Sequence, residues 1–277
     1  MKLVVCSAED AASVNITDRM VELGGWEERG GFEGRPVKWK GDAALVTIPT
    51  HHLWYDAIDD KVERALGQRP SLVVFASRHK SASNMRTLTV HPIGNYGKAG
   101  MGGRDGTLVP AAPPQMTRAL RLLGARAKEA SLQYLVSLEA THHGPYLSTP
   151  TFYIEIGSDE AAWKEPGPTR AIAETIEEVL KEEAPLQRIA LGVGGGHYVP
   201  RMTDVALEKN VHFGHMMPSY VIEEGWRPVM LEEMLRATPG AELVYFHKKA
   251  IKTPVLREMM GWFKERGIET VSSKDLD

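Results

Sequence analysis

Short apolar runs recur along this chain, and they limit its fold more than any other feature. Lys2–Cys6, Ala43–Ile48, Leu72–Ala76, Leu132–Leu138 and Ile189–Val193 are each too short for a buried helix. Continuous apolar runs of this length suit strands covered on both faces. Thr151–Ile156 and Glu242–Phe246 have the same character. Between them lie helical patterns. In Leu53–Leu66, Ile58, Val62 and Leu66 fall at four-residue spacing, and Met116–Ala130, Thr169–Lys181 and Val255–Arg266 keep a similar period. Ser158-Asp-Glu160 offers a helix start, and Pro166 and Pro168 break the chain before the next helix. Strand and helix in alternation predict an α/β fold, a three-layer sandwich around a mixed, mainly parallel sheet. With no repeat, low-complexity tract or long linker, one domain over residues 1–277 is expected.

Composition narrows the class. At 43% hydrophobic and 25% charged, the chain can bury a core. A single Cys excludes an intrachain disulfide and favours a reducing, cytoplasmic setting; Cys6, inside the first run, reads as a small core residue. The N-terminus turns polar after five residues, and no run reaches the roughly 18 apolar residues of a spanning helix, so no membrane partner is expected. The balance of 33 basic and 36 acidic residues argues against a general nucleic-acid coat, while leaving a local RNA contact open.

Arg86–Pro114 stands apart, with Gly94, Gly97, Gly100, Gly102, Gly103 and Gly106 followed by Pro110, Pro113 and Pro114. It reads as a long loop or lid, the lid spanning about 91–114, or as a surface insertion without a role.

The ten histidines are His51, His52, His79, His91, His142, His143, His197, His212, His215 and His247, nearly all at the ends of expected strands. Strand carboxyl ends form the ligand crevice of an open parallel sheet, so imidazoles distant in sequence can converge there. Arg78-His79-Lys80 leaves one strand and can hold a phosphate or carboxylate, with Ser81 and Ser83 as caps or further ligands; solvated charges are the plainer alternative. Glu139-Ala-Thr-His142-His143 brings a carboxylate and two imidazoles within five positions, enough for a metal or for a base and its orienting partner. On an extended segment adjacent side chains diverge, so one His should line a site and the other pack behind it.

Gly192-Val-Gly194-Gly195-Gly196-His197-Tyr198 is the most glycine-dense point. It fits neither a phosphate-binding loop nor a dinucleotide fingerprint. It can cradle a ribose, phosphate or carbonyl, or it can be a tight turn. His212 and His215 stand three apart, but Gly214 and Pro218 argue for strand or turn, which favours His215 as the site residue. Glu155, in an apolar strand, needs a His, Lys or metal partner if buried, or else faces solvent at an edge. Lys248 and Lys249 follow another strand and can touch phosphate or simply be solvated.

These blocks carry a resemblance. Phe75–Ser83, Leu88–Asn95, Glu139–Pro145, Glu155–Ser158 with Trp163, Gly194–Tyr198 and Phe213–His215 together resemble the archaeal and plant type of D-aminoacyl-tRNA deacylase, over nearly the whole chain and in that family's order. The resemblance implies a hydrolase of the ester joining a D-amino acid to the 3′ end of tRNA. It also implies Zn2+ and a core similar to peptidyl-tRNA hydrolases and nucleoside phosphorylases. Since one Cys cannot supply a thiolate set, His142, His197, His215 and Glu155 are the candidate ligands.

The expected catalytic residues are His79, Glu139, His142, His143 and His197. Ester hydrolysis needs an activated water, an oxyanion stabiliser and help for the leaving ribose oxygen. Gly194, Gly195, Gly196 and Tyr198 are the expected oxyanion or ribose cradle. Arg78, Lys80, Ser81 and Lys248 are set to hold the terminal phosphates, and Asn95 to close over the terminal adenosine. The partner is the tRNA 3′ end, not DNA, and a monomer is expected. A nucleoside phosphorylase-like enzyme and a noncatalytic RNA-binding protein remain alternatives.

Overall fold

A computed structural model describes residues 1–81, 84–181 and 185–277. Ser83, grouped above with Ser81, lies outside the described residues. The first half runs β1 (Lys2–Ser7), α1 (Ala11–Glu22), β2 (Glu27–Phe32), β3 (Arg35–Lys40), β4 (Ala43–Ile48), α2 (Ile58–Leu66), β5 (Leu72–Lys80), β6 (Thr87–His91), α3 (Pro113–Glu129) and β7 (Leu135–Leu138). The second half runs β8 (Thr151–Ser158), α4 (Pro166–Lys181), β9 (Arg188–Val193), α5 (Pro200–Glu208), β10 (Val211–Met217), α6 (Ser219–Gly225), α7 (Pro228–Ala237), β11 (Ala241–Phe246), α8 (Thr253–Glu265) and β12 (Glu269–Val271). No helix among the described residues is long and apolar enough to cross a membrane.

The strands make two sheets. An eight-stranded sheet has the order β2-β3-β4-β1-β5-β8-β6-β7, and a four-stranded sheet has the order β10-β9-β11-β12. In the large sheet β4, β1, β5 and β8 run parallel, while β6 pairs antiparallel with β8. The small sheet is wholly parallel. The α/β class and its mainly parallel pairing agree with the sequence. The division into two sheets was not expected.

Three apolar clusters hold the layers. One joins α1, α3 and α4 to Val4, Val74 and Ile154 of the large sheet and reaches Phe213 and Met216 of the small one. A second covers the other face of the large sheet with Ile58 and Val62 of α2. A third packs α6, α7 and α8 on the far face of the small sheet.

Two expected elements change. Leu53–Leu66 is not one helix: a 3-10 turn over His52–Trp54 ends before α2, because Ala57 is left-handed with φ 57. Arg86–Pro114 is not all loop, since it opens on β6, and its two ends pack inward while Gly97–Gly106 stays largely exposed. Ile93, Leu108 and Val109 are buried, and Ala111 N–H donates to Ala237 O at 2.8 Å.

Candidate functional site: a buried histidine–carboxylate centre

Six chain segments converge on one cleft of about 330 Å3, lined by residues that include His51, Arg78, His79, Lys80, Ser81, Met101, His142, His143, Glu155 and His197. Two of these segments, β5 and β8, are strands, and the others are loops that follow strands or cross the cleft. His79 lies near the end of β5 and pairs in register with Gly157 of β8. A Cβ at Gly157 would lie 2.9 Å from His79 Cδ2 and 2.4 Å from Thr87 Oγ1, so only glycine admits the imidazole here. Glu155 sits two residues earlier on β8, opposite Thr89 of β6. Glu139 follows β7, and its N–H continues the ladder to Val90 O.

Glu139 is the hub. Its carboxylate lies 3.2 Å from His79 Nδ1, 3.5 Å from His142 Nε2 and 3.3 Å from His197 Nε2. Glu155 lies 3.5 Å from His79 Nδ1 and 3.7 Å from His91 Nε2. Both carboxylates are almost fully buried. Burial alone would raise the Glu155 carboxyl, but His79 and His91 hold it well below the usual range. Glu139 is likewise lowered, burial being outweighed by His197 and His142. His79 is raised in return: burial opposes its charge, and Glu155 and Glu139 override it. His142 falls well below its ordinary value through burial and then His143, and His143 falls to about 3 through burial and then His91. The centre thus sets ionised carboxylates beside imidazoles of two kinds: His79 and His91, whose charged form the carboxylates favour against burial, and His142 and His143, which burial pushes toward the neutral form.

These ion-pair distances lack hydrogen-bond geometry. Both carboxylate oxygens of Glu139, His91 Nε2 and His143 Nδ1 are buried with no hydrogen-bond partner. Orphaned buried polar groups cost about 1–3 kcal/mol each, more when charged. His91, His142 and His143 bring ligand atoms within 4.8 Å of one another, as do His91, Glu139 and Glu155, and His79, Glu139 and His197. His142 Nδ1 is fixed on Ala140 O at 2.8 Å, which leaves Nε2 directed at Glu139. A nitrogen and carboxylate set of this kind suits a divalent cation such as zinc.

Several expected site residues lie elsewhere. His215 is fully buried with both ring nitrogens engaged, Nε2 with Val109 O at 2.9 Å and Nδ1 with Thr141 Oγ1 at 3.0 Å. It braces the cleft from behind and is not a ligand. The glycine loop is no open cradle. Gly194 N–H donates to Met217 O and Gly195 N–H to Ser219 Oγ, while Gly196 is exposed and outside the cleft lining. Asn95 Nδ2 donates to Gly102 O at 2.9 Å, so it ties its own loop together. Lys248 follows β11, also outside the cleft lining. His142 and His143 do not diverge: φ at His143 is 23, the chain turns left-handed, and the two rings approach to 4.0 Å, both lining the cleft.

Three residues here were not among the expected catalytic, binding or metal residues. His91 was hidden in the glycine-rich segment. His51 lines the cleft beside Asp10, whose Oδ2 lies 3.9 Å from His51 Nε2 and accepts Arg78 N–H at 3.0 Å. Asp10 directly before an apolar-periodic segment was the available signal, because it caps α1 by accepting from Ala12 and Ser13 N–H. Of the remaining expected residues, Arg78 lies over Trp163 at 5.2 Å, and Tyr198 OH lies 3.2 Å from His79 Nε2.

Fold and centre together define an α/β enzyme whose chemistry rests on imidazoles and carboxylates. The D-aminoacyl-tRNA deacylase family matches over residues 66–271, and the chain belongs to that family. The D-aminoacyl-tRNA deacylase of Pyrococcus horikoshii is 36% identical over 276 residues, covering 98% of this chain and 99% of its own. That of Methanosarcina acetivorans is 35% identical over 280 residues, covering 99% and 92%. A crystal structure of a conserved protein of unknown function superposes with TM-score 0.92 at 30% identity, covering 100% of this chain and 96% of its own. Family membership sets aside the phosphorylase and the noncatalytic alternatives.

Proposed function

We infer that this protein hydrolyses the ester of D-aminoacyl-tRNA, releasing free D-amino acid and tRNA. The observation that carries the reading is the Glu139-centred cluster within a chain that belongs to this family. The work of the centre divides by which atoms lack a protein partner. His91, His142, His143 and Glu139 hold the orphaned or inward-aimed atoms and would hold a zinc ion, with Pro92 O, 3.1 Å from His91 Nδ1, fixing the ring of His91. Zinc bound there supplies Lewis acidity for water activation and carbonyl polarisation.

His79 and His197 are left to move protons. His197 has its side chain 34% exposed and lines the cleft, with Nε2 3.3 Å from Glu139, so its ring stands between the cleft and the carboxylate. His79 Nε2 meets Tyr198 OH, which orients the ring, and its Nδ1 faces both carboxylates. Arg78 and Lys80, at the end of β5, give the cleft mouth a positive edge for the negative tRNA end. The active unit we assign is the monomer. The cytoplasm, where aminoacyl-tRNA is made, is the compartment we assign.

The test is to incubate the protein with matched D- and L-aminoacyl-tRNA, with and without a chelator. Release of the D-amino acid alone, abolished by chelation, is expected. Equal turnover of both enantiomers would remove the chiral reading, and undiminished turnover after chelation would remove the zinc.

A further inference from the structure

The small sheet has a ligand crevice of its own. From β9 the chain passes through α5 to β10, with α5 on the face toward α3; from β11 it passes through α8 to β12 on the opposite face. Adjacent strands that part in this way leave a crevice outside their carboxyl ends, where α/β sheets bind ligands. A cavity of about 580 Å3 opens here, lined by Ser219, Ile222, Glu223, Lys249, Ala250, Ile251, Lys252 and Val255.

Three observations give this cavity a chemistry. Lys249 and Lys252 are exposed, and their side chains make no ion pair or hydrogen bond among the described residues. Residues 247–257 carry Lys248, Lys249, Lys252 and Arg257 with no carboxylate, in a chain of net charge -3. Glu223 is the one carboxylate in the lining, so the cavity is net positive. The cavity is also tied to the catalytic centre. Ser219 Oγ accepts Gly195 N–H at 2.9 Å and donates to Ala250 O at 3.0 Å, and two residues beyond Gly195 stands His197. Two residues of chain span at most about 7 Å. Tyr220, next in sequence to Ser219 and just outside the lining, is 42% exposed.

We propose that this cavity binds phosphodiesters of the unpaired 3′ end of the tRNA, with Lys249 and Lys252 on phosphate and Tyr220 under a base. Cations interleaved with an exposed aromatic are how single-stranded nucleic acid is gripped. The proposal rests on the deacylase reading. Kinetics of Lys249→Ala/Lys252→Ala are to be compared on D-aminoacyl-tRNA and on D-aminoacyl-adenosine, which has the ester and base but no phosphodiester. KM for the tRNA should rise about tenfold with kcat kept, and the slope of log KM against log salt should fall by about 2. Tyr220→Ala should raise the same KM and Tyr220→Phe restore it. An unchanged KM and salt slope overturns the proposal, as does an equal loss on the adenosine ester. If the unaltered protein turns over neither substrate, the deacylase reading fails instead. Fluorescence anisotropy of uncharged tRNA then decides: weaker binding by the double variant upholds the cavity, and equal binding rejects it.

Discussion

His215 and His142 are both inward-facing histidines, yet they do different work because of where their nitrogens end. Each ring nitrogen of His215 already meets a protein oxygen, on Thr141 and on Val109. His142 spends one nitrogen on Ala140 O and aims the other at Glu139. Replacing His215 with alanine opens a cavity and takes the imidazole from Val109 O, while Thr141 Oγ1 keeps Met216 N–H, a cost of about 2–4 kcal/mol. His215→Ala should therefore melt at lower temperature while binding as much zinc as the unaltered protein, measured by metal analysis after dialysis. His142→Ala should lose zinc instead. Loss of zinc from His215→Ala with an unchanged melting temperature would reverse these two roles.

Among the elements, α3 is the one both sheets depend on. Met116, Ala119, Leu120 and Leu123 are fully buried, and α3 touches β6 and β7 on one side and β10 on the other. Leu120→Ala should cost about 2–5 kcal/mol. Both sheets should then unfold in one transition, so far-UV and near-UV circular dichroism should lose signal together. Two separated transitions would show that the sheets are independent. The same scale explains what sequence could and could not reveal. The runs at β1, β4, β5 and β9 were legible because strands buried on both faces must be apolar throughout. The hairpin β2–β3 was not: β2 is exposed at every position but Phe32, so no apolar period exists to be read. β6 was missed because Thr87 and Thr89, although buried, look polar, and glycines follow. In the centre, His79, Glu139, His142 and His197 were legible as polar residues at strand exits. Nothing local marked His215 as already satisfied, since its partners lie 74 and 106 residues away. The glycine loop misled for a similar reason, because Ser219 and Met217, which take its N–H groups, arrive on another strand exit.

Across the whole molecule, the centre doubles as the seam between the sheets. Glu139 and His142 follow β7 of the large sheet, and His197 follows β9 of the small one. The seam is closed by Ala140 N–H to His197 O at 2.8 Å and Thr141 N–H to Met216 O at 2.9 Å. It also carries buried polar atoms without a hydrogen-bond partner, the two oxygens of Glu139 foremost. A cation held there relieves those atoms in the folded state only, because the unfolded chain cannot assemble the set. Zinc at about 100 times its dissociation constant should then stabilise the fold by about 2.7 kcal/mol. For a chain of this size that corresponds to a rise of about 5 °C in Tm. Glu139→Gln keeps the volume but removes the hub charge, so its melting curve should be the same in zinc as in chelator. If the unaltered protein also melts at one temperature in both, the seam holds no metal, and the orphaned atoms must be satisfied in another way.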